Sequence, residues 1–339
     1  MRAAFGSSGN HRSAARPWRA GPLVAAAISI STAAAPAHAD PSKLSPEVGY
    51  NYGQTETPRI AGMGGALRAF SNSTDALFIN PANMATSRVY HIGALAQIWP
   101  EASRQSYGAG IVDSIVSASR LAGGVGGSWT RQDPDGVDRS DIDLRFALAY
   151  PFSDHLFLGA AGRYLSLKQS GFPRGVYDLH PSLAAGGLKG KPIVQDITFD
   201  AGMTVKPIQE LAFSLVGYNL TDPGHGLLPL TLGGGAAFGT EDFTVEADVL
   251  GDYNTRIVNT VRAMGGGEFL AGNHFPLRGG YRYDQGAKSH AVTLGLGYVD
   301  TAYAVDLSMQ RVVVGETATA IVVGFTYHVE SSGLTPDTD

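Results

Sequence analysis

The residues able to do covalent or metal chemistry are few and scattered. Nine histidines occur without ligand spacing, no H-E-x-x-H helix or nucleophile elbow is present, and there is no cysteine to serve as thiolate, disulfide or metal ligand. Enzymatic activity therefore has no constellation to rest on, and no metal or other cofactor is implied. The residues that can do electrostatic work are charges set at alternate positions of apolar runs: Asp143 and Arg145, Arg163, Asp200 and Lys206, Glu246 and Asp248, Arg262 and Glu268, Arg278 and Arg282, and Asp306. Their signs are mixed. Such a set suits ion-pair and hydrogen-bond networks beside a low-dielectric wall, whereas a selective ionic pore calls for a bias of one sign. Arg59 and Arg68, in a glycine-rich stretch upstream, are natural partners for the carboxylates among them.

The elements that must position these charges have period two. Ile142, Leu144, Phe146, Leu148 and Tyr150 share one face of a strand while Asp141, Asp143 and Arg145 share the other. The alternation recurs in about fourteen segments, near 89–99, 104–113, 119–131, 140–151, 155–168, 195–206, 211–220, 227–238, 243–253, 258–270, 274–284, 289–299, 302–312 and 317–328. An even number of strands is what a bacterial single-chain membrane barrel uses. Connections alternate in character: 151–154, 207–210, 239–242, 271–273 and 300–301 are tight, whereas 132–139, 169–195, 221–226 and 285–288 are longer and more polar. Short turns on one side and long loops on the other distinguish periplasm from exterior. Trp99, Trp129, Tyr150, Phe152, Tyr218, Tyr283, Tyr298 and Tyr327 lie at strand ends, where interfacial aromatic girdles are expected. The fold class read from these patterns is an all-β transmembrane antiparallel barrel.

Composition agrees. Of 339 residues only 16% are charged, against about 25% in globular domains, and 44 are glycine. Mean hydropathy near zero argues against a helical membrane protein and fits alternating lipid-facing and lumen-facing residues. A net charge of -5 offers no basic field for nucleic acid. Residues 1–39 carry arginines without acids, then PLVAAAISISTAAA, then Ala37-His38-Ala39, the pattern of a Sec-type signal peptide cleaved after Ala39. The expected organisation is signal peptide 1–39, a periplasmic or luminal element 40–88, barrel 89–329 and a polar tail 330–339. The location is the outer membrane of a Gram-negative bacterium, with outer-membrane lipid as surroundings. In the last strand Ile321, Val323, Phe325 and Tyr327 share a face, resembling the signal read by the outer-membrane assembly machinery.

Between leader and strands lies RIAGMGGALRAFSNSTDALFINPANMA, Arg59 to Ala85. Its glycines allow positive φ and close approach; Ser73 or Thr74 is placed to cap a short helix to Ile79, with Asp75 at its positive end. Asn80-Pro81 stops it. This stretch, followed by HIGALAQIWPEA, resembles the N-terminal signature of the FadL-like outer-membrane transporters of long-chain fatty acids and aromatic hydrocarbons. It resembles equally the related PorV and PorQ proteins, which serve type IX secretion. The matching positions are Gly62, Gly64, Gly65, Asp75, Asn80, Pro81 and Ala82; Asn83 stands where glycine is common. The resemblance implies that the stretch folds into the lumen of a fourteen-stranded barrel as a hatch.

Two functions follow from the resemblance and stay open at this point: passive transport of hydrophobic small molecules, or a PorV-like scaffold or shuttle for secreted proteins. In the transporters a kink in the third strand opens the wall laterally. Carried over, it places an opening at Gly123, Gly124, Gly126 and Gly127; the alternative is that these glycines fit a close-packed hatch. The loop 169–195 contains Phe172, Tyr177 and Leu179, which would offer an apolar ligand-capture groove or simply fold over the mouth.

Overall fold

The computed structural model describes residues 54–115, 120–133, 138–171, 180–184, 187–188 and 190–329. The expected leader, its cleavage site and the tail from 330 lie outside the described residues, as do Phe172, Tyr177 and Leu179. A helix α1 (Pro58–Gly62), a helix α2 (Ser73–Ile79) and a 3-10 turn (Pro81–Ala85) precede the strands. The first seven strands are β1 (Tyr90–Trp99), β2 (Arg104–Asp113), β3 (Ala122–Gln132), β4 (Asp138–Pro151), β5 (Leu156–Ser170), β6 (Pro192–Ile208) and β7 (Leu211–Tyr218). The second seven are β8 (Thr231–Gly239), β9 (Phe243–Asp252), β10 (Thr260–Ala271), β11 (Phe275–Asp284), β12 (Ser289–Val299), β13 (Tyr303–Val314) and β14 (Thr319–His328). A single turn of helix, α3 (Pro181–Ala184), lies between β5 and β6.

Each strand pairs antiparallel with its sequence neighbours, and β1 closes on β14 from His91↔His328 to Ile98↔Ile321. Closure leaves no edge to recruit another chain. Period two decides what faces where. Phe146 is 60% exposed on the outer surface, while Asp143 and Arg145 beside it are buried inside. The same division holds for Ile197 and Phe199 against Thr198 and Asp200, and for Val245 and Val249 against Glu246 and Asp248. An apolar surface running right round the barrel far exceeds the patches a water-soluble monomer tolerates, so the outer wall is a lipid face and the molecule a transmembrane barrel.

The aromatic girdle is corrected at two positions. Trp129, Tyr150, Phe152 and Tyr327 point outward, but Trp99 and Tyr218 are buried. Trp99 is in phase with luminal Gln97, and Tyr218 with luminal Ser214 and Val216, so strand parity turns both inward. Both barrel termini lie at the end that carries the short turns, as fourteen strands require.

A charge on the lipid face tests this architecture. Phe146→Arg, near the middle of β4, should destabilise the barrel by roughly 2–4 kcal/mol, read as a lower urea midpoint in vesicles. An unchanged midpoint would mean that this face does not meet lipid.

Candidate functional site

The lumen is filled by the segment 54–88, and its short helices are held from four sides. Helix α1 starts at Pro58, pre-set for a first helical turn, with Thr57 as N-cap accepting from the Ile60 amide. It lies against β11–β14. There Ser308 Oγ donates to the Pro58 carbonyl at 2.5 Å and Thr293 Oγ1 to the Gly62 carbonyl at 2.7 Å. Gly64 has φ +71°, and a Cβ there would sit 2.7 Å from the Tyr281 backbone; glycine is required by both torsion and space. Arg282 donates to the Gly64 carbonyl and pairs with Glu56.

On the β9 side two carboxylates receive backbone donors. Asp248 Oδ2 accepts from the amides of Leu67 and Arg68 and from the Arg68 guanidinium at 2.9 Å, and Glu246 accepts from the amides of Ala69 and Phe70. Those four successive N–H groups have no strand or helix of their own to bond, and charged acceptors satisfy them.

Helix α2 faces β1–β3. Its N-cap is Asn72, without a side-chain bond, so neither Ser73 nor Thr74 caps it. Ser73 Oγ instead meets His91 Nδ1 at 2.6 Å, and Thr74 lies against Gly93. Asp75 is in the first turn, but its carboxylate accepts from Thr57 and lies 3.6 Å from Arg59. Burial pushes the Asp75 carboxyl above its ordinary range, with Arg59 and Thr57 pulling the other way. At the far end the wall supplies the donors the helix lacks: Arg145 Nη1 reaches the Phe78 carbonyl at 2.9 Å, and the Tyr218 hydroxyl the Ile79 carbonyl.

Asn80 then turns the chain. Its backbone is extended, as the following proline demands, and its Oδ1 accepts from the Ala82 amide. Its Nδ2 donates to the Arg68 carbonyl at 2.6 Å and to Thr204 Oγ1 at 2.9 Å, while Thr204 donates to Asn83 Oδ1 and Asn83 Nδ2 returns to the same Arg68 carbonyl. The turn packs on β4–β6, where Pro81 and Ala82 lie against Gly159. Asn83 is thus a working member of the clamp rather than a stand-in for glycine.

The wall charges form two further groups. Along β4–β6, buried Asp143, Arg145, Arg163 and Asp200 pair at 2.6–3.6 Å, and Arg163 also reaches Asn219. On the opposite side Asp75, Arg59, Glu268, Arg278 and Asp306 form an alternating chain from hatch to wall. That chain borders a cavity of about 360 Å³ at the short-turn end, between the hatch helices and the wall. Pro58, Phe78, Ala94, Leu95, Leu270 and Val299 contribute its apolar surface.

No family model matches the chain, and no curated protein sequence matches it. Solved structures do. The monoaromatic hydrocarbon channel CymD is 16% identical with a TM-score of 0.63, covering 81% of this chain and 97% of its own. The fold is FadL-like. The Ralstonia pickettii toluene transporter TbuX is 13% identical with a TM-score of 0.57, covering 82% of this chain and 99% of its own. A Pseudomonas aeruginosa FadL homologue gives 16%, 0.56, 80% and 98%.

Within this FadL-like barrel the third strand differs from expectation. β3 pairs continuously with β2 and β4, without a register shift on either side, so the ladder has no kink or break at Gly123, Gly124, Gly126 and Gly127 through which the wall would open laterally, and Gly123 and Gly124 line only an open recess between paired strands. Two of these glycines make room for the hatch instead: a Cβ on Gly124 would lie 2.8 Å from Met84 Sδ, and one on Gly126 2.8 Å from Leu77. Gly123 and Gly127 lie beside the outward Leu148 and Leu144. The alternative read from the sequence, glycines that fit a close-packed hatch, describes Gly124 and Gly126.

Of the loop expected to capture ligands, the α3 turn packs inward while Leu188 is 68% exposed. Leu183 joins Leu165, Leu167, Val194, Leu227 and Leu228 in one apolar cluster, and Ser182 Oγ accepts from the Gly226 amide. His225 is buried here, and desolvation, reinforced by Arg139 and His180, pulls its imidazole from an ordinary value near 6.5 down to about 4. Thr204, Thr293 and Ser308, which the sequence did not mark as anchors, hold the hatch, with only their inward parity as a signal; Tyr218, expected at a girdle, and Asn83, expected only to stand in for glycine, hold it too.

Two outcomes test this arrangement. Asn80→Ala removes three bonds, among them the side-chain acceptor of the buried Ala82 amide, and leaves Thr204 and the Arg68 carbonyl with Asn83 in place of two partners, costing the hatch roughly 2–4 kcal/mol. Amides 58–85 should then exchange hydrogen faster while strand amides do not; uniform protection would show that the clamp is dispensable. For His225 the folded value lies below the unfolded one, so the stability it contributes is present above about 6.5 and is lost as pH falls toward about 4, by at most about 3 kcal/mol. After correction for the intrinsic slowing of amide exchange in acid, protection at 180–184 and 225–228 should fall across that window, and constant protection would refute it.

Proposed function

We propose that this protein is an outer-membrane channel through which small hydrophobic compounds pass by passive diffusion. The observation that carries this reading is the cavity beside the hatch. Its volume of about 360 Å³ falls in the range of small-molecule sites, and a void of about 150 Å³ is enough to hold benzene. Hatch atoms form one wall of the cavity and strand atoms the other, so a compound lodged there lies beside the plug. The FadL-like fold supports the same reading, since the structural neighbours include a monoaromatic hydrocarbon channel and a toluene transporter. With β3 closed, the passage runs past the hatch toward the short-turn end, which we assign to the periplasm. The last strand and the leader fit export by the Sec route followed by insertion through the outer-membrane assembly machinery.

The test is accumulation of labelled toluene and of a labelled fatty acid in a porin-poor Gram-negative host with and without the full-length chain. Faster accumulation of at least one is expected. Equal accumulation in both hosts, with the barrel present in the outer membrane, would favour a PorV-like scaffold for secreted proteins.

A further inference from the structure

The charges that border the cavity are not balanced as those of the lumen as a whole are. Asp75, Glu268 and Asp306 stand against Arg59 and Arg278, and both arginines are already engaged: Arg59 with Glu268 at 2.8 Å and with Asp75, Arg278 with Glu268 and Asp306 at 2.5 Å. Glu241 and Asp242, exposed on the β8–β9 turn, add two more carboxylates at the rim. Even with Asp75 protonated, acids outnumber arginines by four to two. A carboxylate entering the cavity would find its counter-ions paired and its nearest free charges of its own sign. A neutral compound would meet the apolar surface without an electrostatic cost, and an amine would gain.

From this geometry we propose that the cavity selects by charge, admitting neutral and amine-bearing hydrophobic compounds and turning away carboxylates such as fatty acids, with Glu241 and Asp242 as the specificity-determining residues of the rim. The proposal rests on the channel reading above and narrows its substrate class. The mechanism is discrimination by like-charge repulsion in a confined site, where low-dielectric walls concentrate the field of the lining charges. The ion-paired chain behind them keeps Arg59 and Arg278 from reorienting toward an anion, because moving Arg59 would take from Asp75 its arginine and moving Arg278 would take from Asp306 its own, and either would cost Glu268 one of its two partners.

The experiment uses three compounds with one skeleton, butylbenzene, 4-phenylbutylamine and 4-phenylbutyrate, supplied to the same porin-poor host at pH 8, above the ordinary histidine range. Accumulation is compared between the native chain and Glu241→Gln/Asp242→Asn, whose positions at an exposed turn leave the barrel and hatch contacts intact. The native chain should speed entry of the neutral and amine compounds and leave the carboxylate near background. A unit charge some ~7 Å away through water alters the partition of a charged probe about threefold, in opposite senses for the amine and the carboxylate, so removing two charges should narrow the amine-to-carboxylate ratio by roughly 50–80-fold at low salt, and by less as salt is raised. Equal stimulation of all three, or a ratio that the variant leaves unchanged, overturns charge selection while the channel reading stands. Stimulation of none overturns the channel reading itself.

Discussion

A polypeptide segment that enters the lumen of a barrel as something other than a strand brings peptide groups that neither water nor a ladder can satisfy, and every one of them needs a partner. That requirement organises this molecule. Helices of five and seven residues are far too short to be stable alone, so the hatch exists only because the wall completes it. Asp248 and Glu246 take four successive amides, Arg145 and Tyr218 take the last carbonyls of α2, and Ser308 and Thr293 take carbonyls of α1. The wall in turn carries buried charges that would be costly without the hatch to receive them.

This mutual completion explains the wall's composition. Where α2 and the 3-10 turn approach closely, side chains give way to glycine, as at Gly124, Gly126 and Gly159. Where the hatch presents polar backbone, the wall presents Asp, Glu, Thr, Ser or Tyr. Glycine density in β3 is therefore a packing feature of the plugged state. A strand with glycines on both faces can still pair without interruption if both neighbours hold their register, and β2 and β4 do.

The strands were legible because each is half in lipid and half in a polar lumen, so every second residue changes character and the period appears in the sequence itself. The Asn80-Pro81 stop was legible for a local reason, the restriction proline places on its predecessor. What could not be read is which wall residue meets which hatch residue, because that depends on the register of strands from 18 to 250 positions away. Tyr218 and Trp99 show the limit: each is an aromatic at a strand end, and only its phase relative to Ser214 or Gln97 turns it inward. Ser73 shows it again. A serine at a helix start is a capping residue by local rules, yet its hydroxyl is drawn to His91 across the lumen.

The same bonds bear on how anything could pass. At about 1 kcal/mol each, the contacts that anchor the hatch sum to something on the order of 10 kcal/mol, comparable to the whole stability of an ordinary domain. Expulsion of the plug would approach unfolding, so on the proposed channel reading the plug stays seated during passage. The anchoring is uneven, however. Segment 67–70 and the Asn80 clamp are tied by charged or multiple bonds, whereas the edge of α2 toward β1 is held by the Ser73–His91 contact and by Thr74 resting on Gly93. That edge borders the cavity. On the channel reading proposed above, this edge is where a path beside the hatch would meet least resistance from the wall, since β1 holds it by a single hydrogen bond; Asp75 in the same turn ties α2 to Thr57 and Arg59, so the two hatch helices would have to shift together there.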